Sequence, residues 1–216
     1  MVLPRGDRQR GYVVHLTSLE NLGSIWQLGR LVAQSRMPAD VEVNELGSVE
    51  IKLQRRVRPV ICAMGGHVAD YVPFYFSARS PMLYFAHTGN PLSPFSGGQR
   101  ELVHLVSHVD VIDELGCSYV ITDRNAALEY ARQSDRLDDL ENLIDWTLQE
   151  RKYWNNTRDE PDRMERRMAE FLVHDECKVE ALLDVVVMDE EVRSRVLDTL
   201  EGYDHPQVRV DRNWYY

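Results

Sequence analysis

The chain has 216 residues, 44 % of them hydrophobic and 28 % charged, with a net charge of −10. That suits one domain with a real core; no run reaches the ~18 apolar residues of a membrane span, and Cys62, Cys117 and Cys177 are too few and too dispersed for a disulfide framework or a zinc knuckle. The acidic total argues against a nucleic-acid partner, which usually needs a basic footprint, but the bases are clustered: Lys52, Arg55, Arg56 and Arg58 in one run, Arg163, Arg166 and Arg167 in another.

The opening stretch up to Arg10 has no apolar run, so no signal peptide is read there and a cytoplasmic setting is expected. Residues 13–16 read as a short strand. Thr17, with Glu20 three positions on, has the form of a capping box. It opens a helix whose Leu22, Ile25, Trp26 and Leu28 lie near one face and which Gly29 closes. Residues 33–70 are polar and irregular, with Pro38, Gly47, Gly65 and Gly66, the pattern of a functional or disordered loop. Residues 71–76 read as a strand broken at Pro73, and residues 102–109 and 119–121 as further strands. Asp123 is placed to cap a helix over residues 125–132, and an acidic helical stretch follows at 137–146. Residues 163–168 look helical, and a strand begins at Glu170. A buried-type strand spans 185–188. Asp189 caps a helix with Val192, Val196 and Leu200 on one face, and Val208 and Val210 form a last strand before Trp214, Tyr215 and Tyr216. Short strands mixed with short helices, without regular alternation, predict an α+β fold in a single domain.

Several chemistries are excluded. There is no Walker A sequence, no Gly-x-Gly-x-x-Gly after a strand and no Gly-x-Ser-x-Gly elbow. His104 and His108 have the i, i+4 spacing of a helical zinc pair, but they sit in an alternating β-branched run with no Glu after His104, so they read as structural. His67, His87, His174 and His205 are read the same way. What remains is a scattered polar set: His15 and Thr17 where a strand meets a helix, arginines in a long loop, aromatics around Tyr75, and Glu170 at a strand start. Spacing alone does not make these residues a site.

Four segments carry a resemblance: His15 to Gly23 with the helix that follows, Lys52 to Arg56, Tyr71 to Tyr84 with its Tyr-Val-Pro-Phe-Tyr-Phe-Ser-Ala-Arg core, and Asp162 to Val173. With the ending Trp214-Tyr215-Tyr216 they span nearly the whole chain in order. On these residues the sequence resembles the DarT family of DNA ADP-ribosyltransferases, and more its thymine-modifying branch than its guanine-modifying one. The resemblance implies the ADP-ribosyltransferase fold, a split β-sheet with an NAD cleft and flanking helices. It implies a toxin that moves ADP-ribose from NAD onto a base, thymine N3, of single-stranded DNA, acts without a metal, and is countered by a macrodomain antitoxin. A monomer without membrane partners is expected.

Carried onto this chain, the resemblance makes Glu170 and Arg56 the catalytic pair. His15, Thr17, Asn21, Tyr75, Met82 and Arg56 become NAD contacts, and Arg55, Arg79, Arg163, Arg166 and Arg167 contacts to DNA phosphates. Arg55 and Arg56 are interchangeable at this level. The polar loop 33–58 is expected to cover NAD, and the region 117–160 to carry the substrate loop. Three other readings stay open: a transferase of the same fold acting on protein or RNA, a nucleic-acid-binding module that has lost activity, and a zinc hydrolase built on His104 and His108.

Overall fold

The structure, a computed structural model, describes residues 10–90 and 95–216. The signal-peptide reading of the first residues therefore lies largely outside the described part. In chain order the elements are β1 (Tyr12–Ser18), α1 (Leu22–Leu28), β2 (Arg30–Val32), α2 (Val49–Val57), β3 (Tyr71–Tyr75), α3 (Pro81–Thr88), β4 (Leu102–His108), α4 (Val109–Glu114), β5 (Tyr119–Thr122), β6 (Gln133–Ser134), α5 (Leu140–Leu143), α6 (Trp146–Glu150), α7 (Arg163–Arg167), β7 (Glu170–His174), β8 (Glu176–Lys178), β9 (Asp184–Val187), α8 (Glu190–Thr199) and β10 (Gln207–Val210). Among the described residues no helix is long and apolar enough to cross a membrane.

The main sheet runs β10-β9-β4-β1-β3-β7-β5-β6, and β2 pairs with β8 separately. β1 is laddered to β4 from Tyr12 opposite His108 to Ser18 opposite Leu102, and β3 to β7 from Tyr71 opposite His174 to Tyr75 opposite Glu170. Between β1 and β3 the register holds at one pair, Val14 opposite Tyr75. The sheet is thus two half-sheets hinged at that pair, which is the split that the resemblance implies. Proline explains the gap. Pro73 has no N–H to give, and its carbonyl accepts from the His15 ring at 2.8 Å instead of joining a ladder with β1. The strand runs through Pro73 without the expected break, because its partner β7 pairs with Val72 and Phe74 on either side.

One face of the sheet carries Val13, Val72, Phe74, Val103, Leu105, Phe171, Val173 and Val185. It is covered by Leu22, Ile25 and Trp26 of α1, Ile112 of α4 and Val192 and Val196 of α8, all in one buried cluster. Fully burying such side chains is worth about 1.5–3 kcal/mol each, so this face supplies most of the cohesion. The other face is divided among three smaller clusters, around Leu83 with Tyr215, around Tyr71 with Leu172, and around Val14 with Tyr75. That division leaves room for polar groups on a sheet that is otherwise dry.

Several local expectations hold. Gly29 closes α1 in the left-handed region at φ 68, a conformation that costs glycine nothing. The Asp189 side chain accepts from Val192 N at 3.0 Å, capping α8, whose Val192 and Val196 are buried. Others are corrected. Thr17 belongs to β1, and Ser18 is the cap of the turn that follows, its hydroxyl accepting from Glu20 N at 3.3 Å. No helix forms over 125–132. Asn125 folds back on Ala127 N at 3.0 Å, and Asp123 takes Arg132 N at 2.9 Å, closing a loop at its neck. Asx side chains that bond nearby backbone in this way compete with helix formation. Within 33–58, the stretch read as loop contains α2. Ser48 caps it through Ile51 N at 3.3 Å, Glu50 sits in its first turn and Arg55 and Arg56 in its last, an order that suits the helix dipole. None of its residues is buried; it lies on a rim.

Candidate active site

Where β1 and β3 part, a cleft of about 340 Å³ opens, bordered by His15, Thr17, Asn21, Leu28, Tyr75, Met82 and the segment from Met37 to Arg56. The register places Glu170, the first residue of β7, directly beside Tyr75 on the same face. Glu170 is 1 % exposed. Its carboxylate receives Arg55 Nη1 on both oxygens, at 3.0 and 2.9 Å, and a backbone N–H from Ala126. Its own backbone N–H is held by Thr122 Oγ at 3.2 Å. Burial pushes the Glu170 carboxyl above the ordinary carboxylate range, while Arg55 pulls the other way. A buried carboxylate with a single cationic partner is an unusual object in a core, and such perturbed acids concentrate at functional sites. Burial, reinforced by the Glu170 charge, pushes the Tyr75 phenol upward, so it stays protonated.

His15 lines the cleft, and its Nδ1 meets the Pro73 carbonyl, which can only accept. The proton therefore sits on Nδ1. Burial lowers the His15 pKa, so the ring is neutral and Nε2 is left as an acceptor. An imidazole in that tautomer can take a ribose hydroxyl. Thr17 is 4 % exposed, and its hydroxyl accepts from Asn21 Nδ2 at 3.1 Å. Asn21 has a second occupation. Its amide clamps Asn44 through two bonds, Nδ2 to Asn44 O at 3.0 Å and Asn44 N to Oδ1 at 2.8 Å. It thus ties the segment before α2 to the cleft, a task the sequence reading did not foresee. Met82, in the first turn of α3, packs against both apolar clusters that flank the cleft.

The arginines separate sharply. Arg55, read as a DNA contact, is the one that reaches Glu170; Arg56, read as catalytic, is exposed at the rim of the same cleft. Arg163 is 9 % exposed and donates to the Tyr153 carbonyl at 2.9 Å. Arg166 is held by three carboxylates, Asp145, Asp162 and Glu160. Arg167 is 3 % exposed and donates to the carbonyls of Leu148, Gln149, Arg151 and Arg79. In this conformation those three hold the chain together. Arg79 differs: its buried Nε has no hydrogen-bond partner among the described residues.

Residues the sequence reading missed are Ala126, Thr122 and Asn44; Lys52, singled out only as part of a basic run, lines the cleft and is ion-paired with Glu45. The signal for α2 was present: Ser48 ahead of an acidic first turn, with arginines at the far end. No local signal points to Ala126, whose N–H meets Glu170 only through the folded loop. His104 binds Tyr215 Oη at 3.2 Å and the Ala78 carbonyl at 3.1 Å, and burial lowers its pKa to about 4. Among the described residues no group of three His, Cys, Asp or Glu side chains could hold a metal ion.

Comparison with known proteins places this geometry. The family model described as ssDNA thymidine ADP-ribosyltransferase, DarT, matches residues 14–216. The chain belongs to the DarT family. It is therefore a DNA ADP-ribosyltransferase, with NAD as donor. A DNA ADP-ribosyl transferase of Thermus aquaticus is 37 % identical over 207 residues, covering 94 % of this chain and 88 % of the relative. One of Mycobacterium tuberculosis is 36 % identical over 199 residues, covering 90 % and 85 %. Among solved structures, Thermus sp. 2.9 DarT in complex with ADP-ribosylated ssDNA superposes with a TM-score of 0.89 at 30 % identity, over 99 % of this chain and 100 % of that one. The same protein in complex with NAD+ gives a TM-score of 0.85, covering 96 % and 98 %. The split sheet of this chain is thus the DarT fold.

Proposed function

We propose that the cleft holds NAD so that ribose C1′ of its nicotinamide half lies at Glu170, and that thymine N3 of a single-stranded DNA attacks it. The bond from C1′ to the nicotinamide nitrogen breaks and the bond from C1′ to N3 forms. Nicotinamide leaves neutral, and the N3 proton passes to Glu170. A positioned base of this kind contributes about 10²–10⁴-fold, and a pKa raised by burial makes the carboxylate a stronger base than it would be in water. The observation that carries this reading is the buried Glu170 in register with Tyr75 at the hinge of the split sheet. Superposition on a DarT bound to ADP-ribosylated ssDNA supports it.

The other roles follow from position. His15 Nε2 accepts a hydroxyl of the adenosine ribose. Tyr75 offers a flat face to nicotinamide and Met82 a soft contact beside it. Thr17 with its backbone fixes the nicotinamide half, and Asn21 acts by pinning the flap of segment 33–58 over NAD. Arg55 takes the electrostatic role at the reacting centre, since its guanidinium already touches Glu170, and Arg56 at the rim suits the diphosphate. In the free enzyme Arg55 occupies Glu170, so binding must turn that guanidinium from the carboxylate toward substrate. The loop 123–132 and the rest of region 117–160 carry the DNA. Single strands are required because thymine N3 is paired within a duplex. By family resemblance the enzyme is a toxin that blocks DNA replication in the cytoplasm and is countered by a macrodomain antitoxin that removes the modification. It works as a monomer.

The test is mass spectrometry of a mixed-sequence single-stranded oligonucleotide incubated with NAD, beside Glu170→Ala and an NAD-free sample. A mass gain of one ADP-ribose, absent from both controls, is expected, with fragmentation placing it on thymine. NAD consumed while the DNA stays unmodified would overturn the acceptor in favour of protein or RNA.

A further inference from the structure

No residue of α2 is buried, so packing alone does not orient this helix, and its polar ties do. Its entry is held by Asn21 on Asn44 and by the ion pair of Lys52 with Glu45. Its exit is held by Arg58, the residue that caps it and whose own N–H bonds the Gln54 carbonyl at 2.9 Å. Arg58 Nε donates to the Ala127 carbonyl at 3.1 Å, a charge-assisted bond of the stronger kind. The next residue repeats the grip. The Pro59 carbonyl accepts from Gln133 Nε2 at 3.1 Å, and Gln133 Oε1 accepts from Ile61 N at 2.9 Å. The end of α2 is thus fastened to the loop 123–132 and to β6, which follows that loop.

A closed circuit results. Ala127 follows Ala126, whose N–H reaches the Glu170 carboxylate. Arg55, three positions before Arg58 and so on the same side of the helix, reaches that carboxylate from α2. Glu170 therefore has one donor from the helix and one from the loop, and Arg58 ties together the two elements that carry them. Ala126 is fully buried in one cluster with Val60, just beyond Arg58, which gives the tie an apolar backing. The basic run read from sequence as one footprint thus divides. Lys52 and Arg56 line the cleft and Arg55 meets Glu170, while Arg58 stands outside the cleft lining and turns to the loop.

We infer that Arg58 is a positioning residue for the transfer reaction: by holding the end of α2 to the Ala127 carbonyl, it keeps the Arg55 guanidinium and the Ala126 N–H aimed together at Glu170. The inference rests on Glu170 as the proton acceptor and adds what keeps that group in place while substrate binds. When Arg55 turns from the carboxylate, the Ala126 N–H is the donor that stays, and Arg58 holds it there. The titratable groups that face Glu170 are Arg55 from α2 and Tyr75 from β3; β5 brings Thr122, which does not titrate.

Three variants separate the hydrogen bond from the charge. Glutamine carries its Nε2 where arginine carries Nε, so Arg58→Gln keeps the bond and loses the charge. Arg58→Lys keeps the charge without a donor at that atom, and Arg58→Met loses both. Modification of a single-stranded oligonucleotide at saturating NAD is followed by mass spectrometry across pH. Arg58→Met and Arg58→Lys should lose about 10-fold in kcat, the worth of one charge-assisted hydrogen bond, with KM for NAD near the wild-type value. Their acid limb should move to higher pH, because the Ala126 N–H favours the ionised carboxylate and its loss favours the protonated one. Arg58→Gln should restore both kcat and the limb. A residue that only steadied the fold would lower Tm and leave the limb where it is. Arg58→Gln falling together with Arg58→Met would make Arg58 a charge contact and overturn the inference, as would an unmoved limb in Arg58→Met and Arg58→Lys. Where Arg58→Met does not fold, the Gln and Lys variants decide between these outcomes by themselves. A wild-type acid limb in Glu170→Gln would instead overturn the base role of Glu170, and this inference with it, whatever the Arg58 variants do.

Discussion

Arg55→Met removes the one cation that faces Glu170. The two groups are 12 % and 1 % exposed and meet at 2.9 Å, so the pair is screened little by solvent. Burial already pushes the Glu170 carboxyl upward and Arg55 opposes it; without Arg55 the upward shift grows. Each further unit costs the ionised protein about 1.4 kcal/mol, and a broken buried pair costs at most about 3–5 kcal/mol. A carboxyl whose folded pKa is raised holds its proton more tightly when folded. Its stability is therefore full below the ordinary carboxylate range and is lost as pH rises through the folded value. The variant should thus lie close to wild type at low pH and fall behind progressively toward pH 8. For a domain of this size, 1 kcal/mol moves Tm by roughly 2–4 °C, so each extra unit widens the gap by about 3–6 °C. Differential scanning calorimetry from pH 4.5 to 8 measures it, and the acid limb of the kcat/KM profile should move to higher pH in parallel. A Tm difference independent of pH would refute the claim that Arg55 acts on Glu170 by charge. Arg56→Met, at the exposed rim, should leave the pH dependence of Tm unchanged.

Glu170→Gln should keep NAD affinity within a few-fold and lose about 10²–10⁴ in the rate of DNA modification, read by mass spectrometry; a loss confined to NAD KM would remove Glu170 from the proton transfer. Asn21→Ala breaks both bonds to Asn44 and should free the flap, raising KM for NAD by about 10-fold and exposing residues 40–58 to amide exchange; unchanged exchange there would show that other contacts hold the segment. Phe74→Ala empties the centre of the helix-covered face, where Phe74 is fully buried, and should cost about 3–5 kcal/mol in urea unfolding; a cost near 1 kcal/mol would mean that the two half-sheets close over the gap.

Much of the framework was legible in the residues. Strands with β-branched alternation, such as those of β4 and β9, and caps with a single geometry, such as Gly29 and Asp189, depend on interactions a few positions long. The site itself was not. His15, Tyr75 and Glu170 lie 60 and 95 positions apart in sequence, and the resemblance, not their spacing, drew them together. Errors fell where local chemistry offers two outcomes. Thr17 and Ser18 are equally good caps, and Ser18, the last residue of β1, takes the role. Asp123 and Asn125 can start a helix or close a loop, and Arg132 decided for the loop.

The sequence by itself determined most strands of the main sheet and the helices α1 and α8, and, through its four matching segments, which family's chemistry the chain performs. Only the tertiary structure decided how those segments face each other. It put Arg55 rather than Arg56 against Glu170, because adjacent residues on a helix point about 100° apart and the orientation of α2 is set by its neighbours. It set Arg163 and Arg167 against backbone carbonyls and Arg166 against three partly exposed carboxylates, contacts that the local pattern of charge does not specify. It opened the cleft at Pro73, whose missing N–H matters only once β1 lies alongside. Side-chain periodicity is a local property of the chain; what a side chain meets across a sheet is not.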